Sequence, residues 1–174
     1  PGGPQQTCTV TSGVGALAGS NVNNVSVSCI TNTYTVGGTV SGLSGTGLVL
    51  QNNAGDDLSI DSNGAFTFAM PLIDETSYAV TVTNQPDSPS QTCTVTNGGG
   101  ALAGNNVTDV SVVCATNSFM VGGTVSGLSG AGLVLQNNAS DDLTIGSNGD
   151  FTFATPLVDG TSYAVTVKSQ PGGP

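Results

Sequence analysis

Basic residues and histidine are almost absent from this chain. Its 174 residues contain one Lys, no Arg and no His against 11 Asp and Glu, and the formal net charge is −10. Because the chain has nothing with which to neutralise phosphates, we expect no nucleic-acid binding and no attraction to anionic membranes. The missing His and Arg also leave little acid–base or nucleophilic chemistry, so we predict a protein that is not an enzyme and uses no cofactor.

Long apolar runs are missing as well. No stretch of 18 or more apolar residues occurs, and no charged-then-apolar leader opens the sequence. We therefore expect neither membrane insertion nor a signal peptide within it. Charged residues make up only 7% of the chain, so its solubility must come from hydroxyl and amide side chains. Because little charge keeps neighbouring molecules apart, association between copies is chemically easy.

The most informative feature that is present is a long internal repeat. Cys8 and Cys29 recur 85 positions later as Cys93 and Cys114, and residues 36–45 recur unchanged at 121–130. A period of about 85 residues is longer than a solenoid rung and has the size of a small domain. The sequence therefore predicts a tandem array of domains.

The cysteines form two equivalent pairs. The members of each pair are 21 positions apart, there is no closely spaced Cys-x-x-Cys, and His is absent. This pattern favours the disulfides Cys8–Cys29 and Cys93–Cys114 over a metal site. Each bond is expected to stabilise its domain by about 3 kcal/mol. Disulfides are typical of oxidising compartments, so we predict an extracellular or cell-surface location.

Hydrophobic periodicity predicts an all-β domain. Short alternating segments are separated by Gly, Asn and Asp clusters, and no segment has the apolar period of a helix. Seven strands with one apolar face each indicate a two-sheet antiparallel sandwich. Asn63-Gly64, between two apolar segments, predicts a type I′ hairpin turn. The predicted core residues of the middle repeat are Tyr34, Val36, Val40, Leu48, Leu50, Leu58, Ile60, Phe66, Phe68, Tyr78, Val80, Val82, Cys93, Val95, Val110, Val112 and Cys114.

Three motifs of the repeat resemble a known class of surface domain. Residues 37–43 (Gly-Gly-Thr-Val-Ser-Gly-Leu), 62–68 (Ser-Asn-Gly-Ala-Phe-Thr-Phe) and 77–82 (Ser-Tyr-Ala-Val-Thr-Val) resemble the prealbumin-like repeats of bacterial surface proteins, namely the Cna B-type and carboxypeptidase regulatory-like families. The resemblance implies an immunoglobulin-like or prealbumin-like sandwich that opens on the Gly-x-Val strand. The isopeptide crosslink of the Cna B-type family cannot form in the middle repeat, which contains no Lys.

This resemblance also sets the predicted domain boundaries. The complete repeat spans 31–115, residues 1–30 are the C-terminal strands of a preceding repeat, and 116–174 are the N-terminal strands of a following one. An alternative frame divides the chain into 6–90 and 91–174.

The incomplete ends predict self-association. Neither end can close a core alone, and each supplies the strands that the other lacks, so we expect copies joined head-to-tail, either by strand donation or as a continuous array. The function predicted is a structural part of an extracellular bacterial filament, fibre or surface stalk. The alternative is an adhesin arm whose loops bind a glycan or a host protein. The predicted subunit-contact residues are Val10, Val25, Val27, Phe119, Phe151, Phe153 and Tyr163.

Paired carboxylates are a further candidate for chemistry. Asp56-Asp57 recurs as Asp141-Asp142, but adjacent strand residues point to opposite faces and cannot act on one substrate. We interpret these pairs as part of a solvated loop, and Lys168 as an incidental residue at an exposed tip.

A calcium site and glycan attachment are the remaining possibilities. Asp57, Asp61 and Asn63 could supply oxygen ligands, but Gly146 replaces the middle one in the second copy, so we predict no metal site. Three Asn-x-Ser/Thr triplets allow possible glycan modification, and they begin at Asn24, Asn106 and Asn138.

Overall fold

The structure, a computed structural model, describes residues 3–173. Within that range the chain forms strands, turns and irregular segments without any helix, so it contains no helix that could cross a membrane. It divides into two compact units; the first holds β1–β9, β11 and most of β10 and β12, and the second holds β13–β19. The strands are β1 Gln6–Thr11, β2 Ser26–Thr31, β3 Thr33–Tyr34, β4 Val36–Ser41, β5 Leu48–Asn52, β6 Asp56–Ile60, β7 Gly64–Thr67, β8 Leu72–Ile73, β9 Ser77–Asn84, β10 Gln91–Thr96, β11 Gly99–Ala101, β12 Val107–Thr116, β13 Ser118–Phe119, β14 Gly122–Val125, β15 Leu133–Asn137, β16 Asp141–Ile145, β17 Gly149–Thr152, β18 Leu157–Val158 and β19 Val165–Ser169.

Strands β3–β12 build two four-stranded sheets and one short ladder. One sheet has the order β10-β12-β4-β7, the other has the order β11-β9-β5-β6, and β3 pairs with β8. The prediction of a purely antiparallel sandwich is wrong at one place, since β12 runs parallel to β4. The two strands are far apart in sequence, so the connection between them is long enough to permit parallel pairing.

The apolar faces of these two sheets share one core. Its buried residues run from Val36 to Cys114, and Val36, Leu48, Leu50 and Val112 have no exposed surface. The predicted alternation is confirmed, because every predicted core residue is buried except Tyr34, Leu58, Val82 and Val95, which are half-buried against the cluster. Two sheets that bury one face each against a common core are consistent with a β-sandwich.

The Asn63-Gly64 turn is not a hairpin, and that prediction is wrong. The strand before it, β6, pairs with β5, whereas the strand after it, β7, pairs with β4 in the other sheet. Gly64 has a φ of +133°, but Asn63 does not have a positive φ. Asn63 instead holds the crossover: its Oδ1 accepts from the Leu43 N–H at 2.8 Å and its Nδ2 donates to the Leu43 carbonyl at 2.8 Å. The turn therefore passes the chain from one sheet to the other.

Strands β13–β19 form three small sheets. The pairs are β13-β18 and β14-β17, and the third sheet has the order β16-β15-β19. Their core is small and consists of Leu133, Leu135, Ile145 and Phe153, with five half-buried apolar neighbours. Among the described residues, these strands repeat β3–β9 at the offset of 85 residues.

Strands β1 and β2 form an isolated hairpin. Their register places Cys8 opposite Cys29, and these two residues form a disulfide. Cys93 and Cys114 form the second disulfide, so the predicted pairing is confirmed. The Cys93–Cys114 bond lies in the core, and we call it the buried disulfide; Cys8 and Cys29 are exposed, and we call their bond the exposed disulfide. Two disulfides are typical of a protein that folds in an oxidising environment.

Candidate subunit-contact surfaces

We call residues 31–115, whose strands share one core, the complete repeat; the internal repeat gives residues towards both ends of the chain a counterpart 85 positions away. We call residues 5–31 the N-terminal segment; its counterparts are residues 90–116. We call β13–β19 the C-terminal strands; their counterparts are β3–β9. The burial of a counterpart shows what each side chain does when the repeat is complete.

The predicted contact residues of the N-terminal segment are all exposed. The exposed fractions are 60% for Val10, 49% for Val25 and 61% for Val27. The counterparts of the last two are Val110 and Val112, which are 1% and 0% exposed. The same side chains in the same motif are thus buried in one copy and open to solvent in the other.

The predicted contact residues of the C-terminal strands differ among themselves. Tyr163 is 67% exposed although its counterpart Tyr78 is 9% exposed, and Phe119 is 55% exposed. Phe151 is half-buried and meets Phe153 edge-on, with ring centroids 5.8 Å apart. Phe153 is fully buried by its own strands and is not at the surface, so it belongs to the core of the C-terminal strands.

Strand lengths differ in the same way. β9 begins at Ser77 and pairs with β11 along residues 77–79, whereas the equivalent residues 162–164 are not in a strand, and β19 begins only at Val165. β4 has six residues and pairs with β12, but its counterpart β14 has four. Within residues 3–173, the strands are therefore longer where a neighbouring strand forms hydrogen bonds with them.

Glycines allow a neighbouring backbone to approach closely at several positions of the repeat. A Cβ on Gly38 would lie 1.8 Å from the carbonyl oxygen of Val110, so β12 can reach β4 only because Gly38 has no side chain. The counterpart Gly123 faces only the ring of Phe151, at 3.2 Å. Nothing lies within 4 Å of the equivalent position on Gly127 or Gly15. At their counterparts Gly42 and Gly100, the corresponding space holds the Cys114 carbonyl and the Tyr78 side chain.

Sequence reasoning did not single out Leu17. It is 79% exposed, whereas its counterpart Leu102 is 2% exposed in the complete core. Both lie in irregular or very short segments without alternation, so periodicity did not reveal them. The signal that could have done so is the unchanged recurrence of Ala-Leu-Ala-Gly at 16–19 and 101–104.

Asp74 joins the N-terminal segment to the loop after β8. Its Oδ2 accepts from the N–H of Gln5 at 2.8 Å, and its Oδ1 accepts from the N–H groups of Gly104 at 2.8 Å and Glu75 at 3.0 Å. These bonds, that from Gln5 above all, hold the pKa of Asp74 below its usual value because they stabilise the carboxylate, although burial acts in the opposite direction. The counterpart Asp159 accepts from the Ser90 N–H at 2.6 Å.

The acidic pairs have structural roles in strands, so the solvated-loop interpretation is wrong. Asp56 is buried at the start of β6, where its Oδ2 accepts from the Met70 N–H at 2.8 Å. Asp57 is exposed and accepts from Gln51 at 2.5 Å, which confirms that the two carboxylates point to opposite faces. No group of three acidic or Cys side chains in the described part of the chain could hold a metal ion.

Lys168 is not at a loop tip. It lies in β19 and forms an ion pair with Asp142, which also accepts from Gln136 at 2.6 Å. The bond from Lys168 is the main reason that the pKa of Asp142 is below its usual value. The three predicted glycan-acceptor asparagines are exposed; Oδ1 of Asn106 accepts from the N–H of Thr35 at 2.9 Å.

No protein-family model, curated protein or solved structure matches this chain. The resemblance to prealbumin-like surface repeats therefore depends on the sequence motifs alone.

Proposed function

We propose that this protein is a structural, non-catalytic part of an extracellular bacterial filament, fibre or surface stalk. It is built from immunoglobulin-like or prealbumin-like repeats, and 31–115 is the complete one. In this proposal the N-terminal segment of one copy completes the C-terminal strands of the next copy. The contact is heterologous and does not close on itself, so it propagates into a polymer.

One observation carries the proposal: apolar side chains that are buried in the complete repeat are exposed, at equivalent positions, in both incomplete parts. Val27 is 61% exposed where Val112 is fully buried, and Tyr163 is 67% exposed where Tyr78 is 9% exposed. Burial of one such side chain is worth roughly 1.5–3 kcal/mol, and the exposed set is complementary between the two parts.

Charge opposes association between copies only weakly. The chain has a net charge of −10, but only 7% of its residues are charged. Burial of the exposed apolar residues of the N-terminal segment against another copy is therefore not opposed by a row of like charges at the contact.

Sedimentation velocity over a wide concentration range tests this function, with the disulfides of the 174-residue chain intact. We expect oligomers that lengthen with concentration, and straight fibres in negative-stain images. Val27→Asp should abolish them, because it places a charge on the face that must be buried.

Ser28→Asp is the matched control, since Ser28 lies on the opposite face of β2 and its counterpart Val113 is 48% exposed. It should assemble like the wild type. A wild-type chain that stays monomeric at every concentration would contradict the proposal. Isolated stalks on a larger molecule in native material, without long fibres, would favour the adhesin arm.

A further inference from the structure

The C-terminal strands contain an open cavity of about 320 Å³. It lies between β13, β18 and the segment that precedes β19. The lining side chains that determine its polarity are Phe119, Val121, Leu157, Val158, Thr161 and Tyr163. The cavity is therefore mainly apolar, with the turn at Asp159–Thr161 along one side.

The equivalent place in the complete repeat is covered by the segment that contains Leu102. This side chain is 2% exposed and belongs to the core, and its N–H donates to the Thr76 carbonyl at 3.0 Å. Two residues later the N–H of Gly104 donates to Asp74 at 2.8 Å. Gly100, two residues earlier, is the register partner of Tyr78. Leu102 is thus fixed on both sides by backbone contacts.

The N-terminal segment contains a second copy of the sequence that positions Leu102. Ala16-Leu17-Ala18-Gly19 has the same sequence as residues 101–104. Gly19 has a φ of +82°, close to the +76° of Gly104, so its backbone already has the same left-handed conformation. Leu17 is 79% exposed.

The cavity offers the matching acceptor groups. The turn has the same geometry in both copies. The backbone N–H of Thr161 donates to the Val158 carbonyl at 3.1 Å, and the backbone N–H of Thr76 donates to the Ile73 carbonyl at 3.0 Å. Asp74 accepts backbone N–H groups with both of its carboxylate oxygens. Among the described residues, the counterpart Asp159 accepts the N–H of Ser90 with its Oδ2.

We propose that this cavity is the binding site for Leu17 of a second copy of the chain, and that Leu17 is the anchor residue of the head-to-tail contact. Its N–H donates to the Thr161 carbonyl, and the N–H of Gly19 donates to Asp159 of the same partner. This inference deepens the proposed function and depends on it.

Truncation of the anchor, measured by sedimentation velocity on the full chain, is the first test. Leu17→Ala should raise the dissociation constant by at least about tenfold, because a central, desolvated side chain is lost. Val14→Ala is the matched control: Val14 is 99% exposed on the same loop, but its counterpart is the exposed Gly99, so association should change by less than about twofold.

Cysteine crosslinking tests the register without relying on affinity. Ala101 is the register partner of Ser77, so Ala16 of one copy should lie opposite Ser162 of another. A mixture of Ala16→Cys and Ser162→Cys chains should form an intermolecular disulfide under mild oxidation, identified by peptide mass spectrometry. Ala18→Cys mixed with Ser162→Cys should crosslink far less.

The outcomes separate the two proposals. If the wild type assembles and Val27→Asp blocks assembly, but Leu17→Ala has no more effect than Val14→Ala, the anchor is wrong and the proposed function stands. Equal crosslinking of Ala16→Cys and Ala18→Cys would likewise overturn the anchor alone. A wild type that never associates overturns both.

Discussion

Val112 and Val27 occupy the same place in the repeat, so one side chain can be tested in two environments. Val112 is fully buried and Val27 is 61% exposed. Val112→Ala removes two buried methyl groups, each worth about 0.8 kcal/mol, and leaves a cavity. We expect the free energy of unfolding of the complete repeat to fall by about 2–3 kcal/mol. Val27→Ala should lower the stability of the dilute chain by less than about 0.5 kcal/mol, because an exposed valine has few contacts to lose.

Urea unfolding followed by circular dichroism measures both effects, since a midpoint shift at constant slope reports a change in stability. At concentrations where copies associate, Val27→Ala should show a second effect. Its side chain is then buried as Val112 is, so the variant should weaken association by about 2 kcal/mol, which is about thirtyfold in the dissociation constant.

A large loss of stability in the dilute Val27→Ala chain, equal to that of Val112→Ala, would refute this reasoning. It would mean that Val27 is packed within its own chain. Ser28→Ala controls for changes in strand propensity on β2, and it should leave both the midpoint and the dissociation constant unchanged.

Three further predictions concern the disulfides, the glycines and acid. Replacing both cysteines of the buried disulfide by alanine should lower the unfolding free energy of the complete repeat by about 3 kcal/mol, whereas the same change in the exposed disulfide should leave the main calorimetric transition in place. Gly38→Ala should destabilise the dilute chain by at least about 1–3 kcal/mol in urea, but Gly123→Ala should spare its unfolding midpoint and reduce association in sedimentation. Because the pKa of Asp74 is lowered in the folded state, its contribution to stability is present above the unfolded pKa and is lost as pH falls through the folded value. The urea midpoint of Asp74→Asn should therefore fall less steeply than that of the wild type below about pH 4. An unchanged slope would contradict this prediction.

The core of the complete repeat could be predicted because each strand buries one face, and that burial leaves a two-residue period in the sequence. The shortest strands left no such trace: β8 has two residues, and β11 is Gly-Gly-Ala. These segments become strands only because β3 and β9 lie beside them. Local turn chemistry was similarly insufficient at Asn63-Gly64, where the residues do form a turn but the partners of the flanking strands are set by tertiary packing.

The candidate site was partly predictable for a related reason. Val25 and Val27 alternate with small or polar residues in the sequence, as Tyr163 and Val165 do, so their shared apolar face was visible there. Leu17 lies in an irregular segment without alternation, next to Gly19, whose positive φ cannot be read from the sequence. Phe153 was assigned to the contact because the sequence does not show that its own strands already cover it.

The exposed disulfide has a consequence for how fast such a polymer could grow. Cys8 and Cys29 are directly opposite each other in the β1–β2 register, so the bond holds two strands together before they meet a partner. A donor that is already shaped loses less conformational freedom on docking than a disordered strand does. Elongation of the proposed filament would then be limited by the encounter of subunits rather than by folding of the incoming hairpin. A reducing environment would slow it while leaving every contact side chain intact.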